Sequence, residues 1–524
     1  MSTHKSIVKS AGLISAATLC SRLLGFIRDL LMANFFGTGI ASQAFVVAFR
    51  LPNLFRDLVA EGAVNSAFVP VFSEYLVKKK EQDFWVLARA VLGLMFLILS
   101  AISALGMMCA PWLVRIIAPG FAQDPLKLEL TIRLTRILFP YLVLVGLAAY
   151  SMGILNSFKS FFAPAFGPAV LNLVMIASIL LAVRYYQGEP ILIVAFGALA
   201  GELLQILMQL PILCHFGFRL SLGQIRPDIH HPGVRQIGRL IAPRIFGSAI
   251  YQLNVFVDTI MASLSAIVGE GAVAAIYYAN RIIQFPLAIF GIALSSALLP
   301  TLSRQAASHD YDQLRKTAAF SLKSIYFVMF PSSLGLAVLA RPIITILFER
   351  GRFTAYSTQI TSLALLFYSL GLVAFAAVKI LVSCFYSLQD TRTPVKVSFC
   401  ALLINVALNA ILMFPLKVGG LALASAISAM VNVSILYIIL KSRIGSIIDP
   451  DTKNYFLKIT LSGAIMAAAA HFGWQVLSAS RISSVMALAI ILPAAVLIYA
   501  AACFALKVKE ISRLIKWMLP KTNP

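Results

Sequence analysis

Residues Ser21–Ala33 read SRLLGFIRDLLMA, an apolar run that is interrupted by two arginines and one aspartate. An ionised side chain at membrane depth costs about 2.5–3.5 kcal/mol on the insertion scale, so three of them in one short stretch need a reason. On a helix, Arg22, Arg28 and Asp29 share one narrow sector, and the rest of the circumference is apolar. The stretch therefore predicts a membrane helix whose polar face points to a bundle interior or a water-filled cavity.

The composition of the whole chain is that of a polytopic membrane protein. Of its 524 residues, 60% are hydrophobic and only 12% are charged, against about 25% charged residues in ordinary soluble domains. Apolar segments of about 20 residues or more, long enough to cross a bilayer, recur from one end to the other. They predict an all-α fold with 14 transmembrane helices, which lie in chain order at about 10–35, 40–72, 84–110, 128–156, 162–186, 190–213, 237–264, 271–301, 318–340, 357–388, 395–415, 418–440, 455–477 and 483–506.

The distribution of charge predicts orientation in a membrane. The formal net charge is +23, and Lys and Arg gather in alternate connecting loops, on the side that also carries both termini. This bias places both termini in the cytoplasm. The loop with Arg341, Arg350 and Arg352 is the main exception. No basic stripe with interleaved aromatic residues is found on a soluble module, so nucleic acid is not an expected partner.

Two short sequences recur in order at nearly one separation, which indicates an internal duplication. Asp29–Ala33 (DLLMA) returns as Asp258–Ala262 (DTIMA), and Ser66–Ser73 returns as Ser296–Ser303. An even number of spans separates the copies, so the halves are parallel, as in transporters built from two bundles. The predicted units are two pseudo-symmetric six-helix lobes, two extra helices and a basic amphipathic tail, at 1–220, 221–445, 446–506 and 507–524.

Further charged residues lie within the apolar spans. Arg50, Arg56 and Glu61 belong to the second span, and Arg281 lies in the eighth without an acidic neighbour in sequence. Arginine exceeds its acidic partners here, and guanidinium forks bind oxyanions such as diphosphate in a bidentate manner. The pattern therefore favours an anionic substrate. The alternative interpretation is that these groups are structural ion pairs that hold helices together.

Carboxamide and carboxylate side chains at helical spacing are candidates for ion coupling. Asn254 and Asp258 stand four residues apart in the seventh span, as do Asn405 and Asn409 in the eleventh. One carboxylate with amide oxygens supplies oxygen ligands of the kind that hard cations take. Alternatively, Asp258 hydrogen-bonds across helices. The chain has no GxxxxGK[ST], HExxH or GxSxG motif, so it is not expected to be an enzyme.

Several of these segments resemble the MurJ (MviN) family of lipid II flippases, members of the multidrug/oligosaccharidyl-lipid/polysaccharide exporter superfamily. The resemblance rests on RLLGFIRD at Arg22–Asp29, AFRLPNLFR at Ala48–Arg56 and AEGA at Ala60–Ala63. In the second half it continues with YYANRIIQFP at Tyr277–Pro286 and FYSLQDTRTP at Phe385–Pro394. It covers nearly the whole chain.

The resemblance implies a bacterial inner-membrane protein with a V-shaped cationic cavity between its lobes. It also implies that helices 13 and 14 form a hydrophobic groove for a lipid tail. The substrate would be undecaprenyl-diphosphate-linked disaccharide-pentapeptide, moved to the outer leaflet by alternating access. The implied substrate-binding residues are Arg22, Arg28, Asp29, Arg50, Arg56, Glu61 and Arg281.

A sodium site of some family members would fall near Asp258, Asn405, Asn409 and Ser425. Here Asn409 stands where a second carboxylate is expected, and the acids that some relatives carry at the places of Gln43 and Asn280 are absent. These departures leave open whether Na⁺ or no cofactor at all assists transport.

The leading hypothesis is therefore a lipid II flippase. One alternative is an exporter of another polyprenyl-diphosphate-linked glycan or of a small amphiphile. A second, from another class, is a non-transporting scaffold that docks cell-wall synthesis proteins through its basic tail. The two additional helices favour a substrate with a long lipid tail.

Overall fold

The computed structural model describes residues 2–56, 67–79, 81–219, 227–480 and 482–508. Within these ranges, the side chains of 2–11, 13, 15, 55–56 and 242–251 are not described. Glu61 and the basic tail from 509 onward therefore lie outside the described residues, and the predictions made for them stay predictions.

The described chain is built from α-helices joined by short connections. The helices are α1 (Ser2–Phe36), α2 (Ile40–Arg56), α3 (Val69–Lys78), α4 (Glu81–Ile117), α5 (Pro125–Leu138), α6 (Tyr141–Ser157), α7 (Phe162–Tyr185), α8 (Pro190–His215), α9 (Pro232–Ser263), α10 (Ser265–Val268), α11 (Ala272–Pro286), α12 (Ala293–Ala307), α13 (Tyr311–Val338), α14 (Ala340–Phe348), α15 (Ala355–Leu370), α16 (Leu372–Ser387), α17 (Arg392–Leu416), α18 (Val418–Ile444), α19 (Pro450–Ala479) and α20 (Ser484–Ala505). A 3-10 turn at Pro119–Gln123 precedes α5, and a π-helical segment at Leu287–Ile292 joins α11 to α12.

Most of the predicted spans coincide with helices that suit a membrane. Ten helical segments in the described ranges are long and apolar enough to cross one, and they match predicted spans 3–6, 8, 9 and 11–14. Span 10 is the pair α15 and α16, bent by 43°. Spans 1 and 7 coincide with α1 and α9, and span 2 begins with α2 and continues into residues that the structure does not describe. These three helices do not meet that test in their described residues. The all-α, multi-pass fold is confirmed, whereas the count of 14 stays a prediction.

The chain divides into two compact units, Met1–Ser265 and Ala266–Pro524. The first unit includes α9, which contacts α3, α4 and the 3-10 turn before α5. The predicted lobe boundaries at 220/221 and 445/446 describe the duplication rather than this packing, and they remain predictions.

Within its described residues, the first unit contains two clusters of buried hydrophobic side chains. One joins α3, α4 and α6 around Phe72, Phe84 and Tyr150, and its rings pack edge to face. The other joins α1, α2 and α5–α8, and includes Met32, Tyr141 and Met175. This second cluster reaches the polar face of α1, because Met175 Sδ lies 3.8 Å from Arg28 Nη1.

The second unit packs around α18, which contacts α11, α15, α16 and α17. Glycines allow the closest approaches. A Cβ at Gly420 would lie 2.1 Å from the Leu412 carbonyl oxygen on α17, and one at Gly371 would lie 2.8 Å from Ala426 Cα on α18. Gly371 separates α15 from α16, so the bend lies at a close approach of the chain to α18.

Candidate functional site

The polar face predicted for α1 is present, and Arg28 and Asp29 lie at its centre. Arg28 is 8% exposed and Asp29 is 2% exposed. Arg28 donates from Nη2 and Nε to Asp29 Oδ1, at 2.8 Å and 3.1 Å. A buried guanidinium needs such a partner, because an unpaired charge in a medium of low dielectric is strongly disfavoured.

Asn172 on α7 completes this cluster, and the sequence did not single it out. Its Oδ1 accepts a hydrogen bond from Arg28 Nη1 at 3.0 Å. Its Nδ2 donates to the carbonyl oxygens of Ser21 and Pro168, at 3.1 Å and 2.9 Å. Because both donor bonds go to carbonyls, the amide can present only its oxygen to Arg28. A Cβ at Gly25 would lie 3.3 Å from Asn172 Nδ2, so this glycine leaves room for the amide.

Arg50 joins α2 to α9 within the same unit. Its Nη1 donates to the Val255 carbonyl oxygen at 3.1 Å and also to the Thr259 hydroxyl. Thr259 is itself buried and donates to the Val255 carbonyl at 2.6 Å. This predicted substrate-binding residue therefore holds two helices together in the described structure.

The other predicted site residues of the first two spans are Arg22, Arg56 and Glu61. Arg22 is exposed on α1. Arg56 is the last residue of α2, and its side chain is not described. Glu61 lies outside the described residues. The structure thus brings together Arg28 and Asp29 of the predicted set, and their binding of a substrate stays a prediction.

In the second unit, Arg281 lies on α11 and is half-buried. Its Nη2 donates to the Tyr277 hydroxyl at 3.1 Å, and its guanidinium carbon is 5.2 Å from the centre of that ring. Tyr277 and Arg281 are one helical turn apart, so the pair forms within a single helix. The tyrosine orients the arginine through both its ring and its hydroxyl.

Three of the four predicted sodium ligands lie together in the second unit. Asn409 Nδ2 donates to Asn405 Oδ1 at 2.9 Å, and Asn405 Nδ2 donates to Ser425 Oγ at 3.2 Å. An amide N–H thus approaches the oxygen that would coordinate an ion, and these three neutral residues supply no balancing charge. Asp258 lies on α9, in the first unit. The sodium site remains a prediction, with a chain of hydrogen-bonded amides as its structural alternative.

The motif at Phe385–Pro394 contains a charged loop between α16 and α17. Asp390 accepts from the backbone and hydroxyl of Thr393, and its Oδ2 is 2.6 Å from Arg443 Nη1 at the end of α18. Burial alone would raise the pKa of Asp390, but the hydrogen bonds from Thr393 and Arg443 outweigh it and lower that pKa to about 2. The motif therefore fixes the connection between three helices.

Solved structures share this architecture. A protein titled "Inward-facing conformation of a multidrug resistance MATE family transporter of the MOP superfamily" is 14% identical, with a TM-score of 0.68 over 83% of this chain and 98% of that one. A second, "Lipid II flippase MurJ, inward closed conformation", is 26% identical, with a TM-score of 0.77 over 96% of this chain and 99% of that one. The fold thus places the chain in the class of membrane proteins that these two structures represent.

Sequence comparison narrows this class to one family. The family model described as "Lipid II flippase MurJ" matches residues 32–494. The "Probable lipid II flippase MurJ" of Vibrio cholerae is 35% identical over 90% of this chain and 89% of the relative. The "Lipid II flippase MurJ" of Burkholderia cenocepacia is 33% identical over 88% of both chains. The chain belongs to the MurJ family, and the resemblance predicted from its motifs is confirmed.

Proposed function

We propose that this chain moves lipid II from the cytoplasmic to the outer leaflet of the bacterial inner membrane by alternating access. The observation that carries the proposal is the cluster of Arg28, Asp29 and Asn172, a guanidinium held in place within an apolar helix. The chain that carries this cluster belongs to a family whose members are named for lipid II.

The chemistry of the cluster suits a diphosphate. A guanidinium presents a planar fork of N–H donors that matches two phosphate oxygens, and it stays charged at any physiological pH. The proposed substrate is undecaprenyl-diphosphate-linked disaccharide-pentapeptide, bound by Arg28, with Arg22, Arg50, Arg56 and Arg281 as further cationic candidates. No bond is made or broken in this step, so the protein acts as a carrier rather than as an enzyme.

The proposed orientation places both termini in the cytoplasm, as the distribution of Lys and Arg favours. An outward-facing state that has released its anionic substrate carries positive charge within the membrane. The membrane potential favours its return by about 2.3 kcal/mol per charge per 100 mV. No cofactor is required by this scheme, and coupling to Na⁺ is a separate proposal.

The test uses bacterial cells whose own lipid II flippase can be switched off. The chain is expressed, the native flippase is depleted, and the fraction of lipid II cleaved by an externally added toxin is measured. We expect cleavage to be restored by the native chain and lost with Arg28→Ala.

Arg133→Ala is the matched control, because Arg133 is a half-exposed arginine on α5 that pairs with Glu129 at the surface. Its removal changes charge equally but should leave cleavage intact, since surface ion pairs contribute little. If a correctly inserted native chain restores no cleavage, the substrate is another lipid-linked glycan or the protein does not transport. If Arg28→Ala restores it fully, Arg28 does not bind the substrate.

A further inference from the structure

A cavity lies at the start of α9, within the first unit. Its volume is about 500 Å³. The lining combines basic and polar side chains with two apolar ones, and its residues are His230, Pro232, Arg235, Gln236, Arg239 and Leu240. None of these residues belongs to the site proposed for lipid II.

Neighbouring side chains hold two of the polar groups of this cavity in place. Arg235 Nη2 lies 3.0 Å from His230 Nδ1. Because a guanidinium can only donate, Nδ1 is the acceptor and the proton of a neutral His230 resides on Nε2. Gln236 Nε2 donates to Glu74 Oε2 at 3.1 Å. Glu74 on α3 therefore holds Gln236 of the lining in place.

The charge of the cavity is positive. Glu74, which contacts Gln236, also pairs with Lys78, and Asp228 accepts from the backbone N–H of His230. In the described part of the chain, no acidic side chain forms an ion pair with Arg235 or Arg239. Two guanidinium groups without carboxylate partners at one cavity attract an anion, and their planar forks suit phosphate oxygens.

The apolar residues of the lining indicate which phosphate compound fits. Leu240 is 41% exposed in the lining. The predicted membrane span begins at about residue 237, so Leu240 is expected near the bilayer surface. A free phosphate ion would not use this side chain, whereas a lipid places its phosphate against the arginines and its glycerol and upper acyl carbons against Leu240. Anionic lipids are enriched in the leaflet that is predicted to face this cavity.

We infer that the cavity at the start of α9 binds the phosphate headgroup of an anionic phospholipid. Arg235 and Arg239 contact the phosphate, and Leu240 contacts the glycerol backbone. The site is independent of lipid II, and its test contains no lipid II, so its failure would leave the proposed transport function untouched.

The experiment titrates the full chain, purified in detergent, with short-chain phosphatidylglycerol, short-chain phosphatidylcholine and inorganic phosphate, and measures binding by native mass spectrometry. We expect phosphatidylglycerol to bind at least about tenfold more tightly than either of the others. The double variant Arg235→Gln/Arg239→Gln should weaken phosphatidylglycerol binding by about tenfold or more, which is about 1.4 kcal/mol. Both arginines are exposed, so the fold should be unaffected.

The matched control is Arg304→Gln/Lys316→Gln, which removes the same charge from exposed positions on α12 and α13. It should leave phosphatidylglycerol binding unchanged. An equal loss in both double variants would show that only the general positive charge attracts lipid. No loss in the first variant would show that Arg235 and Arg239 do not bind the phosphate. Leu240→Asn separates the two sources of phosphate, because it should weaken binding of the lipid alone. Inorganic phosphate that binds as tightly as phosphatidylglycerol would overturn the assignment to a lipid.

Discussion

Replacing Asn172 by alanine tests whether Arg28 requires a partner on a second helix. The change removes the acceptor that lies 3.0 Å from Arg28 Nη1 and the donor that lies 3.1 Å from the Ser21 carbonyl oxygen. A hydrogen bond to a charged group contributes about 1.5–3 kcal/mol and a neutral one about 0.5–1.5 kcal/mol. We therefore expect the free energy of unfolding to fall by roughly 2–4 kcal/mol.

The same substitution should weaken substrate binding through Arg28. If the lost hydrogen bond to Asn172 contributes about 1.4 kcal/mol to orienting the Arg28 guanidinium, the affinity for lipid II falls about tenfold. The assay measures lipid II binding to four purified chains, namely the native chain, Asn172→Ala, Arg28→Ala and the double variant. In such a cycle, a residue that acts through Arg28 has no further effect once Arg28 is absent.

Asn432→Ala provides the matched control for loss of a buried amide. Asn432 lies on α18 in the second unit and is 9% exposed, against 8% for Asn172. This variant should lose some stability and keep its affinity for lipid II. Equal losses of affinity from Asn172→Ala with and without Arg28 would refute the reasoning, as would a loss of stability with unchanged affinity.

Three other changes test the remaining contacts. Arg50→Leu should lower the free energy of unfolding by about 1.5–3 kcal/mol and Thr259→Val by about 1 kcal/mol, as measured by thermal denaturation. Equal effects of the two substitutions would contradict the hydrogen bonds assigned to Arg50. Asn409→Asp supplies the carboxylate that a cation needs. In this variant, the amount of toxin-accessible lipid II should depend on sodium rather than potassium in the medium. An unchanged ion dependence would argue against a cation site at this position. Asp390→Asn should lower the melting temperature at pH 7. The difference in melting temperature from the native chain should vanish as pH falls from about 4 toward 2, because a carboxyl with a lowered pKa stabilises the fold only while it is ionised. A constant difference down to pH 2 would contradict the ion pair.

Long-range partners explain why the cluster around Arg28 was only half predictable. Helical periodicity places Arg28 and Asp29 in the same polar sector of α1 from sequence alone, although consecutive side chains lie about 100° apart. Asn172 lies 144 residues beyond Arg28, and a single asparagine in an apolar span has no periodicity that identifies its partner. The one available signal was that Asn172 is the sole carboxamide in the span at 162–186.

The hydropathy pattern also did not predict where helices break. The predicted span at 357–388 contains a 43° bend beside Gly371, because that glycine allows the chain to approach Ala426 on α18. Hydropathy registers the apolar character of both halves and nothing of the contact between them. By contrast, Asp390 was recognised through its motif, although the arginine that it pairs with lies 53 residues away on α18.

The contacts of Arg28 also bear on how its burial should be interpreted. Placing Arg28 and Asp29 at membrane depth costs about 2.5–3.5 kcal/mol each on the insertion scale, and a charge-assisted hydrogen bond contributes about 1.5–3 kcal/mol. The two bonds from Arg28 to Asp29 and the one to Asn172 are therefore of the same size as the two insertion terms, without any substrate. Burial of a charge is thus explained by its partners, and the two interpretations of the sequence, ion pair and binding site, are compatible. The two interpretations predict different effects of removing the Asn172 amide. At a binding site, its removal lowers the affinity for lipid II only while Arg28 is present, whereas in an ion pair that merely joins helices it changes stability alone.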